Sequence, residues 1–488
     1  MQGTADPDFR QMPTAITFRH AVHVRSPEIS MRILSLACAL ALGSSSFASF
    51  AVTPPTAAKV PGSEAIVSKT LPNGLQIIVW PDHDIPNANF YTFYKVGSRN
   101  EYPGITGLAH FFEHMMFNGT SRRAPGEFDR IMEASGGSNN ASTSNDRTVY
   151  TDWFPSSALE TIFDLEADRI AHLAFDDKVI ESERGVVYSE RRSSVDNQPF
   201  GSLIEQMQAT AFTAHPYQFP TIGYPSDIER WTKADLQQFF KTYYAPNNAV
   251  LVIAGDVQPA QVFAMADKYL APIARQPAPR EITTIEPEQH GERRLLLERP
   301  DAQTPIVAFA YHSGSNEGGK DTPALALLNT ILAQGVSSRL HQRLVEKEQA
   351  AVDAGAFVEN GYNPGLLWVY AALPPGGDSA KAEALLDDEL AKLGRDGVSN
   401  AEMEKARNLK LSAFWRGMAT INGKAQALGD YQTFYGDYKK LFDAPAAYAA
   451  VTAADVQALA QKILRKSNRT VGWVVPTPHA PARKEATP

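Results

Sequence analysis

Residues 234–255 read ADLQQFFKTYYAPNNAVLVIAG, and residues 454–475 read ADVQALAQKILRKSNRTVGWVV. The two stretches lie 220 positions apart and share one plan: a helical apolar pattern, a short polar break, then a β-branched run. A fixed-period likeness calls for a search for more. FYKVGSRNE at 93–101 pairs with FAYHSGSNE at 309–317, with Gly97 and Gly314 217 positions apart. YTDWFPSSALE from Tyr150 pairs with YAALPPGGDSA from Tyr370, with Pro155 and Pro374 219 apart. The nearly constant offset predicts an internal duplication. In each half strands are grouped with helices rather than strictly alternating, so the expected class is α+β with helices on one face of a sheet. In the first half, LQIIVW, NFYTFYKVG, the region of TVYTDWF and AVLVIAG read as strands. Residues 107–118, 157–173, 178–193 and 234–243 read as helices.

The ends and the middle read differently. From Met31, MRILSLACALALGSSSFASFA has one basic residue, an apolar core from Ile33 to about Gly43, and small-residue sites ending at Ala48 or Ala51. That is the order of an export signal. The expected division is a leader at 1–30 that is non-native or over-called, a signal peptide at 31–51 and a catalytic half at 62–270. A Pro- and Glu-rich linker at 271–292, a second half at 293–475 and a disordered tail at 476–488 follow. The expected location is periplasmic or secreted, with no stable membrane insertion after cleavage. The single cysteine, Cys38, falls inside the signal, which suits an oxidising compartment. A net charge of -8 argues against a nucleic-acid partner.

The chemistry concentrates in GLAHFFEHMMFNGT, residues 107–120. On a helix His110 and His114 share a face one turn apart, and Glu113 is offset to the side. Two imidazoles so placed can reach one zinc ion, while the glutamate can hold a water; this is the H-x-x-E-H order. A catalytic zinc needs a third protein ligand. The stretch DKVIESERGVVYSERRSS offers Glu183 and Glu190, two turns apart on one face; Glu181 lies on another face. The duplication supplies a control. The second half has ALLNTIL where the histidines would fall. At an offset of 219, Glu190 falls on Leu409, and Glu183 on Glu402. The half without histidines also lacks Glu190, as one shared site requires.

These motifs resemble the M16 zinc peptidases, the pitrilysin, insulin-degrading and mitochondrial processing peptidase family, in its bacterial two-domain form. The likeness spans about 63–475 and rests on HFFEH, ASGGSNNASTSNDRTVYTDWFP, ESERGVVYSERR, HPYQFPTIGYPSDIERW, YYAPNNAVLVIAGDV and GVSSRLHQRLVEKEQAAVDAGAF. Glu190 also lies the family's usual 76 positions after His114. The resemblance implies two homologous α/β-roll halves closing like a clamshell around a chamber. It implies one zinc per chain held by His110, His114 and Glu190, with Glu113 as base and Glu183 supporting the ligands. It implies a peptide substrate laid as an added strand along SNNAST, near Asn140 and Ala141; as plain sequence the Ser/Asn run also fits a turn. One departure stands out. Where active relatives carry an arginine and, seven residues later, a tyrosine, this chain has Val345 and Val352, with Arg343 and Tyr362 out of register. The expected function is a zinc endopeptidase acting with a related second subunit, or as a homodimer. The alternative is a non-catalytic scaffold subunit of a larger complex.

Overall fold

The computed structural model describes residues 59–314 and 319–477. The readings of a leader, a signal peptide and, past Thr477, a disordered tail lie outside them. Two sheets organise the chain. The first contains β1 (Val67–Thr70), β2 (Gln76–Pro81), β3 (Asn87–Tyr94), β4 (Ser138–Thr143), β5 (Thr148–Pro155) and β6 (Ala249–Gly255), in the order β1-β2-β6-β3-β5-β4. The second contains β7 (Arg293–Arg299), β8 (Ile306–His312), β9 (Asp353–Val358), β10 (Leu366–Ala372) and β11 (Arg469–Pro476), in the order β7-β11-β8-β10-β9. Without β1 the two orders are the same. Each sheet has one parallel pair, β2 with β6 and β7 with β11. The remaining pairs are antiparallel.

The duplication reaches single hydrogen bonds. Helices Lys233–Tyr243 and Ala453–Ile463 both open with a capping box, Thr232 with Asp235 and Thr452 with Asp455. Asn248 then ties Lys95 O to Tyr243 O, and Asn468 ties His312 O to Ile463 O. This accounts for the small polar break in both repeats: the asparagine amide satisfies carbonyls at a helix end and a strand end.

The halves exchange helices. Pro199–Ala211 belongs to the first half by sequence, yet Leu203, Met207 and Ala211 pack on Ala308, Ala310, Trp368 and Val474 of the second sheet. Ile421–Tyr435 does the reverse, setting Ile421, Ala425 and Leu428 against Ile78, Phe93, Val250 and Val252 of the first. Each fully buried large side chain contributes about 1.5–3 kcal/mol. The opposite face of the first sheet holds the larger core, which buries Leu108, Ala109, Phe111, Phe112 and Met115 of the histidine helix (Leu108–Met115). A polar clasp joins the halves at the β4–β5 turn. Asp146 accepts from Tyr217 Oη at 2.7 Å and from the Tyr362 amide at 3.1 Å, and Arg99 pairs with it at 3.3 Å while covering the Tyr362 ring.

The offset-219 pairing of Glu183 with Glu402 is corrected here. Ser379–Asp396 has 18 residues where its counterpart Leu159–His172 has 14, which displaces the helix that follows; the offset is back to 220 at Lys233–Tyr243 and Ala453–Ile463. Glu402 sits at the third position of its helix and closes a capping box with Ser399. Glu183 lies two turns into Asp177–Arg191, the glutamate helix. Leu327 and Ile331, where histidines would fall, are buried in the second core.

Candidate metal centre

Backbone placement comes first. Gly107 caps the histidine helix at φ 90, in the region that favours glycine, and a Cβ there would stand 2.6 Å from Ile222 O. Glu101, 3% exposed, accepts the amides of Gly107 at 2.6 Å and Ala109 at 2.7 Å. Burial pushes its carboxyl up, against the pull of those two amides. Asp227 takes the preceding turn through Gly104 N, Thr106 N and Thr106 Oγ1, and the Trp231 indole donates to Thr106 O. The HPYQFPTIGYPSDIERW segment thus fixes the start of the helix that carries both histidines. Tyr150 Oη holds Phe112 O from the sheet side at 2.9 Å.

On that fixed helix His110 and His114 point toward Glu190. Glu190 Oε2 lies 3.7 Å from His110 Nε2 and 3.4 Å from His114 Nε2. One donor atom from each of the three residues falls within 4.8 Å of the others. Donors around one zinc at about 2.0–2.2 Å must lie about 3–3.5 Å apart. The three need only a small contraction, and two imidazoles with a carboxylate fit the ion chemically. The far nitrogen of His114 is held by Glu183 at 2.8 Å, and Asn118 anchors the other Glu183 oxygen at 2.8 Å. This fixes the ring so that Nε2 faces the other donors. Burial opposes a charge on His114, but the hydrogen bonds it donates to Glu183 and Glu190 outweigh it and raise its pKa to about 10. Burial and the neighbouring His114 bring His110 down to about 4. Glu190 is held low by its hydrogen bond to His114.

Glu113 stands beside this group, not in it. Burial raises its pKa, opposed mainly by hydrogen bonding to Thr143 of β4. A carboxylate biased toward holding a proton suits proton transfer. Strand β4 is real, so the turn alternative for the Ser/Asn run falls; among the described residues it pairs only with β5 and leaves one edge open. Ala141 packs toward the core and Asn140 is exposed. Glu181 is exposed and pairs with Arg184, away from the group. Glu101 and Asn118 escaped sequence reasoning. Asn118, four residues after His114, carried a helical-spacing signal that could have found it.

In the second half Val345 packs against the core and Val352 is 57% exposed. Neither neighbour replaces an arginine–tyrosine pair. Arg343 is bound to Glu348 at 3.0 Å and Asp388 at 3.2 Å. The Tyr362 hydroxyl donates to Thr433 O, and its ring lies under Arg99.

Residues 82–224 match the family described as Insulinase (Peptidase family M16), and residues 230–410 match the Peptidase M16 inactive domain. A zinc protease PqqE of Helicobacter pylori is 31% identical over 84% of this chain and 92% of its own. An uncharacterized zinc protease of Mycobacterium leprae is 30% identical over 86% and 94%. The crystal structure of a protease from Helicobacter pylori superposes with a TM-score of 0.82 at 29% identity, covering 84% of this chain and 99% of that one. Fold and donor set together define a two-half, zinc-protease type of molecule. The chain belongs to the M16 peptidase family, with its duplicated α+β halves in the clamshell arrangement.

Proposed function

We propose that this chain is a zinc-dependent endopeptidase for peptides or small unfolded segments. The carrying observation is the convergence of His110, His114 and Glu190 beside Glu113, against the open edge of β4. His110, His114 and Glu190 hold the ion, and Glu183 with Asn118 orients His114. Zinc, when bound, supplies Lewis acidity toward the scissile carbonyl and toward water. Glu113 takes the proton of the attacking water and delivers it to the leaving amine. The β4 edge, near Asn140 and Ala141, pairs with the substrate backbone and sets it in line with Glu113. The chain is exported and works in the periplasm or outside the cell, a reading that N-terminal sequencing from the native cell tests.

The site is completed by a related subunit. Peptide hydrolysis puts negative charge on the former carbonyl oxygen, and losing one donor to it costs about 10²–10³ in rate. Val345 and Val352 offer no donor, and a homodimer repeats the gap. A related chain with arginine and tyrosine at those positions fills it. The test measures quenched-peptide hydrolysis by the purified chain, alone and mixed with such a subunit, with and without chelator. Mixing raises the rate by about an order of magnitude or more, and chelator abolishes it. Full activity of the chain alone refutes the partner. Zinc bound without hydrolysis in any mixture favours the scaffold alternative.

A further inference from the structure

Beyond the end of β4, between the two halves, lies a cavity of about 630 Å³. That lies within the range of about 300–1,000 Å³ typical of ligand pockets. One wall is Ser142, Thr143 and Ser144, with Asn360 beside them. The other is the second exchanged helix, Ile421–Tyr435, which presents Tyr431, Phe434 and Tyr435, with Tyr448 alongside. Tyr431 and Tyr435 lie with ring centres 4.9 Å apart, and all four aromatic residues are only half-buried. The charges in the wall are already engaged. Arg147 pairs with Asp430 and lies over the rings of Phe93 and Phe434, and Asp430 also accepts from Gln426 at 2.7 Å. A lining of aromatic faces around a neutralised ion pair favours a bulky apolar or aromatic guest over a charged one.

The position of the cavity says what brings that guest. Along β4 the side chains alternate. Ala141 turns to the core of the histidine helix, and Thr143 reaches Glu113. Ser142 and Ser144 take the opposite face and border the cavity, which Thr143 between them also edges. A peptide paired with β4 alternates in the same way, so a residue whose neighbour faces Glu113 sends its own side chain toward the cavity. We infer that this cavity is a specificity subsite for a large aromatic or aliphatic side chain of the bound peptide, with Tyr431 and Tyr448 as its selecting residues. The inference rests on the peptidase reading and adds a preference to it. It also assigns the choice of substrate for the first half's metal centre to a wall from the second half.

The test uses binding, so that it stays separate from catalysis. Full-length, zinc-loaded protein carrying Glu113→Gln is titrated by fluorescence anisotropy with peptides of one length. Each carries a single Phe, Leu, Lys or Ala walked along an otherwise Ala/Ser sequence. At one register the Phe and Leu peptides bind roughly tenfold or more tighter than the Ala or Lys peptides. Tyr431→Ala or Tyr448→Ala, each checked for native circular dichroism, brings that ratio to within about twofold; either variant suffices if the other misfolds. Equal binding of all four peptides at every register overturns the subsite and leaves the peptidase reading standing. So does a preference that both folded variants retain. Binding of none, with the completing subunit also present, overturns both.

Discussion

Glu113 and Glu183 lie on either side of His114, and their substitutions separate two kinds of failure. Glu113→Gln keeps the shape but cannot accept a proton. Zinc content by elemental analysis stays at one per chain, while kcat of the completed enzyme falls by about 10²–10⁴. Glu183→Gln weakens the grip on His114 Nδ1, and zinc affinity falls about 10–100-fold, read by competition with a chelating dye. The reverse pattern would exchange the two roles. At this scale the sequence was most legible. His110, Glu113, His114 and Glu190 are marked by helical spacing, because one helix turn brings both histidines onto one side. Glu101 was not legible, because an acid ahead of a helix looks the same whether it caps buried amides or faces water.

At the scale of elements, capping and close packing carry the testable content. Glu402 closes a capping box and pairs with Arg339 at 2.6 Å, which holds its pKa down at about 2 against an ordinary 4.5. A carboxylate with a depressed folded-state pKa adds stability that is complete above about pH 4.5 and is lost as the pH falls through about 2. Glu402→Ala lowers unfolding stability by about 1–2 kcal/mol at pH 7 in urea titrations, a modest figure because the pair is partly exposed. The gap from the parent closes between pH 4.5 and pH 2. Gly429 sits in the second exchanged helix, where a Cβ would meet the Phe93 ring at 2.1 Å. Alanine there gains up to about 1 kcal/mol of helix propensity and costs more in overpacking, a net loss of about 1–2 kcal/mol by thermal unfolding. Gly472→Ala is milder, since its obstacle is the flexible end of Met207. Strands β2, β3, β5 and β6 and the histidine and glutamate helices were readable from period and β-branched content, whereas β1 and the Ser/Asn run of β4 were not. The exchanged helices were not. Leu203, Met207 and Leu428 announce an apolar face, but periodicity does not say which sheet that face meets.

For the whole molecule, the duplication was visible as a repeated offset, and the structure adds what holds the copies together. The connection between the halves, residues 274–290, has no regular secondary structure, and Arg280 and Glu281 on it are exposed. It is tied down at a few points: Gln276 exchanges two hydrogen bonds with Asn247, Glu286 accepts the amides of Thr213, Ala214 and His215, Glu288 pairs with Arg465, and Gln289 donates to Arg469 O. The clasp at Asp146 and the two exchanged helices do not depend on that strip of chain. Limited trypsin cutting after Arg280 therefore yields two fragments on a denaturing gel that still elute as one particle in size exclusion. Fragments that separate would overturn this. Neither piece is self-sufficient, because each covers its sheet with a helix borrowed from the other. Two separately encoded polypeptides, made in one cell, would find each other by trading helices and rebuild the same molecule without a covalent join.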